Sequence, residues 1–250
     1  MRVNLSLSGT LLLFFFSCSL TGRGQKFTID EHEEQFWFQY FNQTRINDRW
    51  SIWLDGGVRT EDQFTRGLST LLGRLGMIYR VSKPVRVMAG YAFFSQRQAY
   101  QLEGVAQPGH RFWQMMQYQR DRRRSQFTHA VRLEQRFRRK LNSPYELSEN
   151  YRFNYRFRYS LSWQYPLRSP RLDKGDLSII LLEEVMVNFG KQVVYDNFDQ
   201  NRAMAGLRYY FNKDNNVMVA YLNVFQKKQE PGLVRISNNI RISYFQTLHF

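Results

Sequence analysis

Arginines at alternate positions are the residues of this sequence best suited to chemistry. Arg132, Arg136 and Arg138 share a phase with Glu134, and Arg152, Arg156 and Arg158 share one shortly afterwards. A guanidinium stays charged and presents a planar fork of N–H donors matched to carboxylate or phosphate oxygens. On extended chain, residues two apart point to the same side, so each run describes a cationic face. Arg74, Arg80, Arg208 and Arg241 occupy the same phase of their own segments, with Asp55 as a further acid. Two consequences are open. Such a face can attract anionic solutes into a lumen, or it can lock against acids and tyrosines in a packed interior.

The elements that position these arginines follow from the residues between them. In the run 150–167, Tyr151, Phe153, Tyr155, Phe157, Tyr159, Leu161 and Trp163 occupy every second position. The same alternation recurs at 35–46, 50–60, 71–81, 85–94, 110–120, 126–138, 177–188, 202–211, 217–225 and 236–250. Repeated period-two segments of about ten residues are the signature of a transmembrane antiparallel β-barrel. Lipid offers no hydrogen-bond partners, so a spanning sheet must close on itself, apolar outside and free to be polar within. The arginines then point inward, because each would cost about 2–4 kcal/mol facing the hydrocarbon midplane.

Polar connections at 47–49, 82–84, 120–125 and 212–216 are short, whereas 61–68, 95–109, 139–149, 189–201 and 227–235 are longer. That asymmetry puts short turns on the periplasmic side and long loops outside; the stretch 166–176 is long for a turn. Eleven segments are an odd count for a bacterial barrel. The expectation is therefore about twelve strands, with ten as the fallback and an extra strand sought in 27–34 or 189–201. Glu183 and Glu184 are adjacent in a strand, so one must face outward unless a bulge or a rim position rescues it.

The N-terminus supplies an address. Arg2 precedes the apolar run "LLLFFFSCSL" at 11–20, followed by small residues at Gly22 and Gly24. This is the pattern of a signal peptide over residues 1–24, leaving residues 25–250 as a single barrel domain. Cys18, the only cysteine, falls inside the leader, so no disulfide is expected. No apolar run is long enough for a spanning helix, and mean hydropathy is −0.54. The net charge of +15 invites anionic partners. Export argues against nucleic acid, so the basic turn "RDRRRS" is assigned to lipid phosphate or solvent. At the other end Tyr244, Leu248 and Phe250 share one phase of a strand closing on an aromatic. This resembles the terminal signal that the barrel-assembly machinery reads.

"THAVRLEQRF" (128–137), "RFRY" (156–159), "FDQNRAMAGLRYYF" (198–211) and "WSIWLD" (50–55) together resemble an uncharacterised family of Bacteroidota outer-membrane β-barrel proteins, the domain of unknown function 2490. The resemblance covers nearly all of the chain after the leader. It implies an outer-membrane barrel and brings no activity or catalytic residue.

Enzymatic barrels provide a rival. The outer-membrane phospholipases, which a barrel of this size also resembles, place a histidine and a serine two residues apart. Here His32 is followed by Glu33-Glu34, His110 by Arg111-Phe112, His129 by Ala130-Val131 and His249 by Phe250. No catalytic or metal-ligating set emerges, and no cofactor is expected. "YDNFDQN" at 195–201 reads as a solvated loop rather than a calcium site. The expected protein is an outer-membrane barrel, not an enzyme. Its arginine-lined lumen, formed by Arg74, Arg132, Glu134, Arg136, Arg152, Arg156, Arg158, Arg208 and Arg241, passes or binds small anionic solutes, with a closed structural or lipid-interacting barrel as the alternative. Outer-membrane lipid, lipopolysaccharide and the assembly machinery are the remaining expected partners.

Overall fold

Each alternating segment becomes one strand. The computed structural model describes residues 28–60, 67–97, 104–169, 172–193, 197–228 and 232–250, apart from the side chains of 30–32. The expected leader lies outside the described residues. In chain order the strands are β1 (Thr28–Arg45), β2 (Trp50–Thr60), β3 (Leu68–Arg80), β4 (Val85–Gln96), β5 (Gln107–Arg122), β6 (Ser125–Ser143), β7 (Glu146–Pro166), β8 (Leu177–Phe189), β9 (Phe198–Tyr210), β10 (Asn215–Lys227) and β11 (Leu233–His249). They form one closed barrel in which every strand pairs with its neighbours in sequence and β1 pairs with β11.

Among the described residues the count is eleven, beside an expectation of about twelve. The stretch 28–34, where a further strand was sought, is the first part of β1, and β9 takes the end of 189–201. An up-and-down sheet with an odd strand number ends in the direction in which it began. Its closing pair must then be parallel, and β1 and β11 are, paired from Thr28↔Leu233 to Arg45↔His249 with one register shift between Ile29 and Glu31. Parallel pairs are slightly weaker per residue, and here aromatic rings reinforce the seam from both faces. Phe41 stacks on Phe245 inside at 4.7 Å, and Tyr40 stacks on Tyr244 outside at 6.2 Å.

The two ends of the barrel differ. One carries the turns 46–49, 81–84, 123–124 and 211–214 and the link from β7 to β8, and the other carries the longer connections and the start of β1. Asn47 and Asn212 tighten two of the turns by accepting backbone N–H bonds from Arg49 and Trp50, and from Asp214 and Asn215. One expected loop, 139–149, is mostly strand. β6 and β7 run on to a tip at 144–145, with register shifts between Arg139 and Leu141 and between Leu141 and Ser143.

Outward positions carry exposed apolar side chains, among them Leu54, Leu71, Leu75, Phe112, Met116, Leu207 and Val219. Aromatic pairs gather at both ends. Trp50–Tyr79 and Trp163–Tyr165 lie toward the turns, and Phe137–Phe153 and Tyr155–Phe189 toward the loops. Polar groups on this face are matched to one another. Gln114 and Gln135 bond reciprocally, and Asn238 accepts from Tyr221 and Asn223. His110 and His129 meet the hydroxyls of Tyr91 and Tyr159.

Glycines within strands make room for rings inside. A Cβ at Gly90 would lie 2.2 Å from the Leu75 carbonyl and 2.7 Å from the Trp113 indole, which also crosses Gly76. A Cβ at Gly109 would lie 2.1 Å from the Phe94 ring. Gly90→Ala should therefore displace Trp113 and lower stability by about 1–3 kcal/mol. Urea unfolding of the refolded protein, followed by tryptophan emission, checks this; an unchanged midpoint contradicts the packing of the indole against Gly90.

Candidate functional site: an arginine-lined cavity

Inside the barrel lies a cavity of about 570 Å³ lined by thirteen arginines and three glutamates. It reaches the loop-side strand ends at Ser69, Gln96 and Gln226 and stops short of the turn side. Two apolar groups form its floor, one of Ile78, Met88, Met115 and Ala130 and the other of Ile180, Met204 and Met218. Below them Gln164 bonds Ser178 and Tyr210, all three buried. The interior is a cup, with its turn side filled by side chains.

The alternation accounts for most of the wall. Arg74, Arg132, Glu134, Arg136, Arg156, Arg158, Arg208 and Arg241 all line the cavity. Arg152 does not. Its phase is inward, but it belongs to the part of β7 that continues past the cavity toward the hairpin tip, and it is exposed. Arg80, at the turn-side end of β3, belongs to a small separate pocket with Arg45 and His249.

Glu134 is the hub. Its carboxylate receives Arg156 Nη2 at 2.7 Å and Arg156 Nε at 2.9 Å, while Arg158 Nε lies 2.9 Å away without hydrogen-bond alignment. Arg111 and Arg132 stand 3.8 Å off. Arg156 reaches Asp199 at 3.0 Å with its other arm, and Arg136 approaches the same acid at 3.6 Å. Glu184 pairs with Arg158 and Arg202, and Asp55 with Arg74 at 2.7 Å. Like charges packed this closely in a medium of low dielectric would repel strongly; the carboxylates set between them make the arrangement tenable.

Four further arginines rest on rings. Among the described residues Arg59, Arg138, Arg208 and Arg241 pair with no carboxylate. Arg59 lies 3.6 Å above Trp37, Arg208 4.6 Å from Phe245, Arg138 5.6 Å from Phe94 and Arg241 5.8 Å from Phe41. The π-face takes up part of the positive charge and leaves the edge N–H groups free to point elsewhere. Tyrosine was the expected ring partner; inside the cavity the rings are phenylalanine and tryptophan.

Several wall residues escape the alternation. Trp37 and Phe41 sit in "FWFQYF", where both faces are aromatic, so phase alone does not separate inside from outside. Asp199 was assigned to a solvated loop. The register between β8 and β9 slips between Met186 and Val187, and this bulge turns Asp199 into the barrel beside Gln200. Arg111 and Arg202 were within reach, since each continues the inward phase of its strand. The adjacent glutamates divide without a bulge at their positions: Glu184 points in to its arginines, while Glu183 points out and accepts a bond from Asn201.

Tyr244, Leu248 and Phe250, the residues expected to carry an assembly signal, lie on the outer face at the turn end. Tyr244 donates to Asn215, Leu248 is half exposed, and the side chain of Phe250 is free while its N–H bonds the Arg45 carbonyl. The model of a protein family described as "Protein of unknown function (DUF2490)" matches residues 34–234. No curated protein matches the sequence.

Removing the hub carboxylate should expose the repulsion it masks. Glu134→Gln leaves Arg156 and Arg158 short of a counter-charge and should destabilise the barrel by about 3–5 kcal/mol. Asp199→Asn, which leaves Glu134 bound to Arg156, should do less. Denaturant midpoints of the two variants check the order; equal and small losses contradict the hub assignment.

Proposed function

The chain belongs to the DUF2490 family of proteins of unknown function, and we propose that it is an outer-membrane β-barrel whose arginine-lined lumen binds small anionic solutes. The observation that carries this reading is the excess of arginine over carboxylate around a cavity of about 570 Å³. Ion pairs and rings hold those arginines in place and leave a surplus of positive charge around the cavity. An anion of a few heavy atoms supplies what such a wall lacks.

Placement in a membrane is supported by the outer face. Its apolar band is flanked by aromatics at both ends, the pattern of outer-membrane barrels, and its polar groups satisfy one another as hydrocarbon requires. The leader read in residues 1–24 and the aromatic C-terminus fit export and insertion by the assembly machinery, with lipid and lipopolysaccharide as the surrounding partners. No catalytic residue is invoked.

The filled turn side favours binding over free flow. A porin-like channel would need a continuous aqueous path, and Ile78, Met88, Met218 and the Gln164–Tyr210 bond stand across it. The same observation supports a second reading, a closed structural barrel without transport. Thermal melts separate the two. Inorganic phosphate or succinate should stabilise the refolded protein by about 2.7 kcal/mol at a hundredfold excess over Kd, and so raise its melting midpoint beyond the effect of choline chloride at equal ionic strength. Identical melts in all three salts contradict anion binding and leave the structural barrel. In planar bilayers the cup should show no steady conductance. A sustained anion-selective current would restore the channel, and a cation-selective one would contradict the role given to the arginines.

Deleting Phe250 should lower the fraction inserted into the outer membrane, measured by cell fractionation and extracellular protease protection. Wild-type insertion would contradict the C-terminal signal.

A further inference from the structure

Five arginines gather on one sector of the turn-side rim, outside the lumen. Beyond the outward-facing Phe112, Met116 and Tyr118, the same phase of β5 carries Arg120 and Arg122, so the apolar band of this strand passes directly into cations. Arg123 and Arg124 form the two-residue turn into β6, and Arg168 follows the end of β7. All five side chains are exposed.

β7 ties the turn to the aromatic belt. The Arg124 guanidinium lies 5.9 Å from the Tyr165 ring, which stacks on Trp163 at 5.6 Å, and Arg124 Nη2 donates to the Arg168 carbonyl at 3.0 Å. Tyrosine and tryptophan on the outer face of a barrel mark the level of lipid headgroups, and the contact with Tyr165 sets the cations beside that level.

Among the described residues none of the five makes an ion pair. Asp121, the acid of the same turn, lies on the opposite phase and accepts instead from Gln119 and Gln126. Across the rim, by contrast, Lys213 pairs with Asp173 at 3.7 Å and His249 with Asp214 at 2.9 Å. Arg123 also sits at φ 43°, a left-handed conformation that asparagine or glycine adopts at less cost. Turn stability alone does not select arginine there, and strain at an exposed cation points to a contact outside the chain.

We propose that Arg120, Arg122, Arg123, Arg124 and Arg168 form a docking site for anionic phospholipids of the turn-side leaflet. Their guanidiniums take the headgroup phosphates while the acyl chains lie against Phe112, Met116 and Tyr118. The site rests on the reading of the outer face as lipid-facing and is independent of the lumen. Guanidinium forks match phosphate oxygens in two-point contacts, and each cation near an anionic membrane surface adds to the attraction. The apolar band beside the patch favours a lipid over free phosphate, which has no chains to lay against it.

Brominated phosphatidylglycerol, as a minor component of phosphatidylcholine vesicles, tests this on the full-length chain carrying Trp50→Phe, in which Trp163 is the outward tryptophan. Quenching of Trp163 should be about threefold stronger than with the same fraction of brominated phosphatidylcholine, as several cations at a membrane surface require. Inorganic phosphate should reduce that difference no more than sodium chloride of equal ionic strength. Arg122→Gln, Arg123→Asn and Arg124→Gln combined should bring the two lipids level, and the thermal midpoint should hold because asparagine suits the turn. Lysine at the same three positions keeps the charge and should keep most of the difference. Equal quenching by the two lipids in the chain with all its arginines would overturn the site while the membrane placement stands. So would specific displacement by inorganic phosphate, or an undiminished difference in the triple variant. Absence of quenching by either lipid would overturn the membrane placement and the site together.

Discussion

Closing a sheet on itself sends every second side chain of every strand into one enclosed space, and in this protein much of what arrives there is arginine. Water cannot screen charges in that space as it does at a surface, so each guanidinium needs a partner supplied by the fold. Carboxylates on β6, β8 and β9 serve one group, centred on Glu134, Glu184 and Asp199. Aromatic faces serve the other, and two of those rings, Trp113 and Phe94, fit because glycines stand beneath them. Glycine, ring and guanidinium form a chain of dependence across three or four strands. What remains after both kinds of pairing is a surplus of positive charge around a cavity, and the proposed function rests on that surplus.

The odd strand number raises a separate problem and meets it at the seam. β1 and β11 run the same way, so their pairing lacks a connecting turn and forms across the full length of the chain. Ring pairs on both faces, Phe41 with Phe245 and Tyr40 with Tyr244, supply cross-strand contact where a hairpin would otherwise fix register. Glu33 and Arg235 add an ion pair near the loop end of the same seam. The direction of β1 also fixes an asymmetry of the molecule: the first described residue, Thr28, lies at the loop end and Phe250 at the turn end.

Strand existence and facing were legible because a closed barrel gives alternate residues two different surroundings, which imposes a period of two on residue type. Leu71, Leu75 and Met77 against Arg74 could be sorted by inspection. Ring placement was not legible wherever both faces are aromatic, as at Phe36, Trp37 and Phe38, because hydrophobicity then carries no phase. Asp199 was hidden for a different reason: a bulge breaks the period, and nothing in the composition of "NFDQN" marks where the extra residue falls. Strand ends were blurred in the long β6–β7 hairpin, whose last residues are polar on both sides and continue the ladder through backbone bonds rather than side-chain pattern. The cup-like shape depends on which inward residues are methionine or isoleucine instead of arginine, and on their heights along the barrel, which requires the register between strands.

The five tryptophans offer the most direct test of the two-sided barrel, since Trp50 and Trp163 face outward while Trp37, Trp53 and Trp113 face the interior. Single-tryptophan variants, with the other four replaced by phenylalanine, can be reconstituted in vesicles of brominated phosphatidylcholine and their emission compared with that in unbrominated vesicles. Strong quenching at Trp50 and Trp163, with little at Trp37, Trp53 and Trp113, is the expected result. Unquenched emission at the two outward positions, or quenching at the three inward ones, would contradict the assignment of one face to lipid and the other to an enclosed cationic lumen.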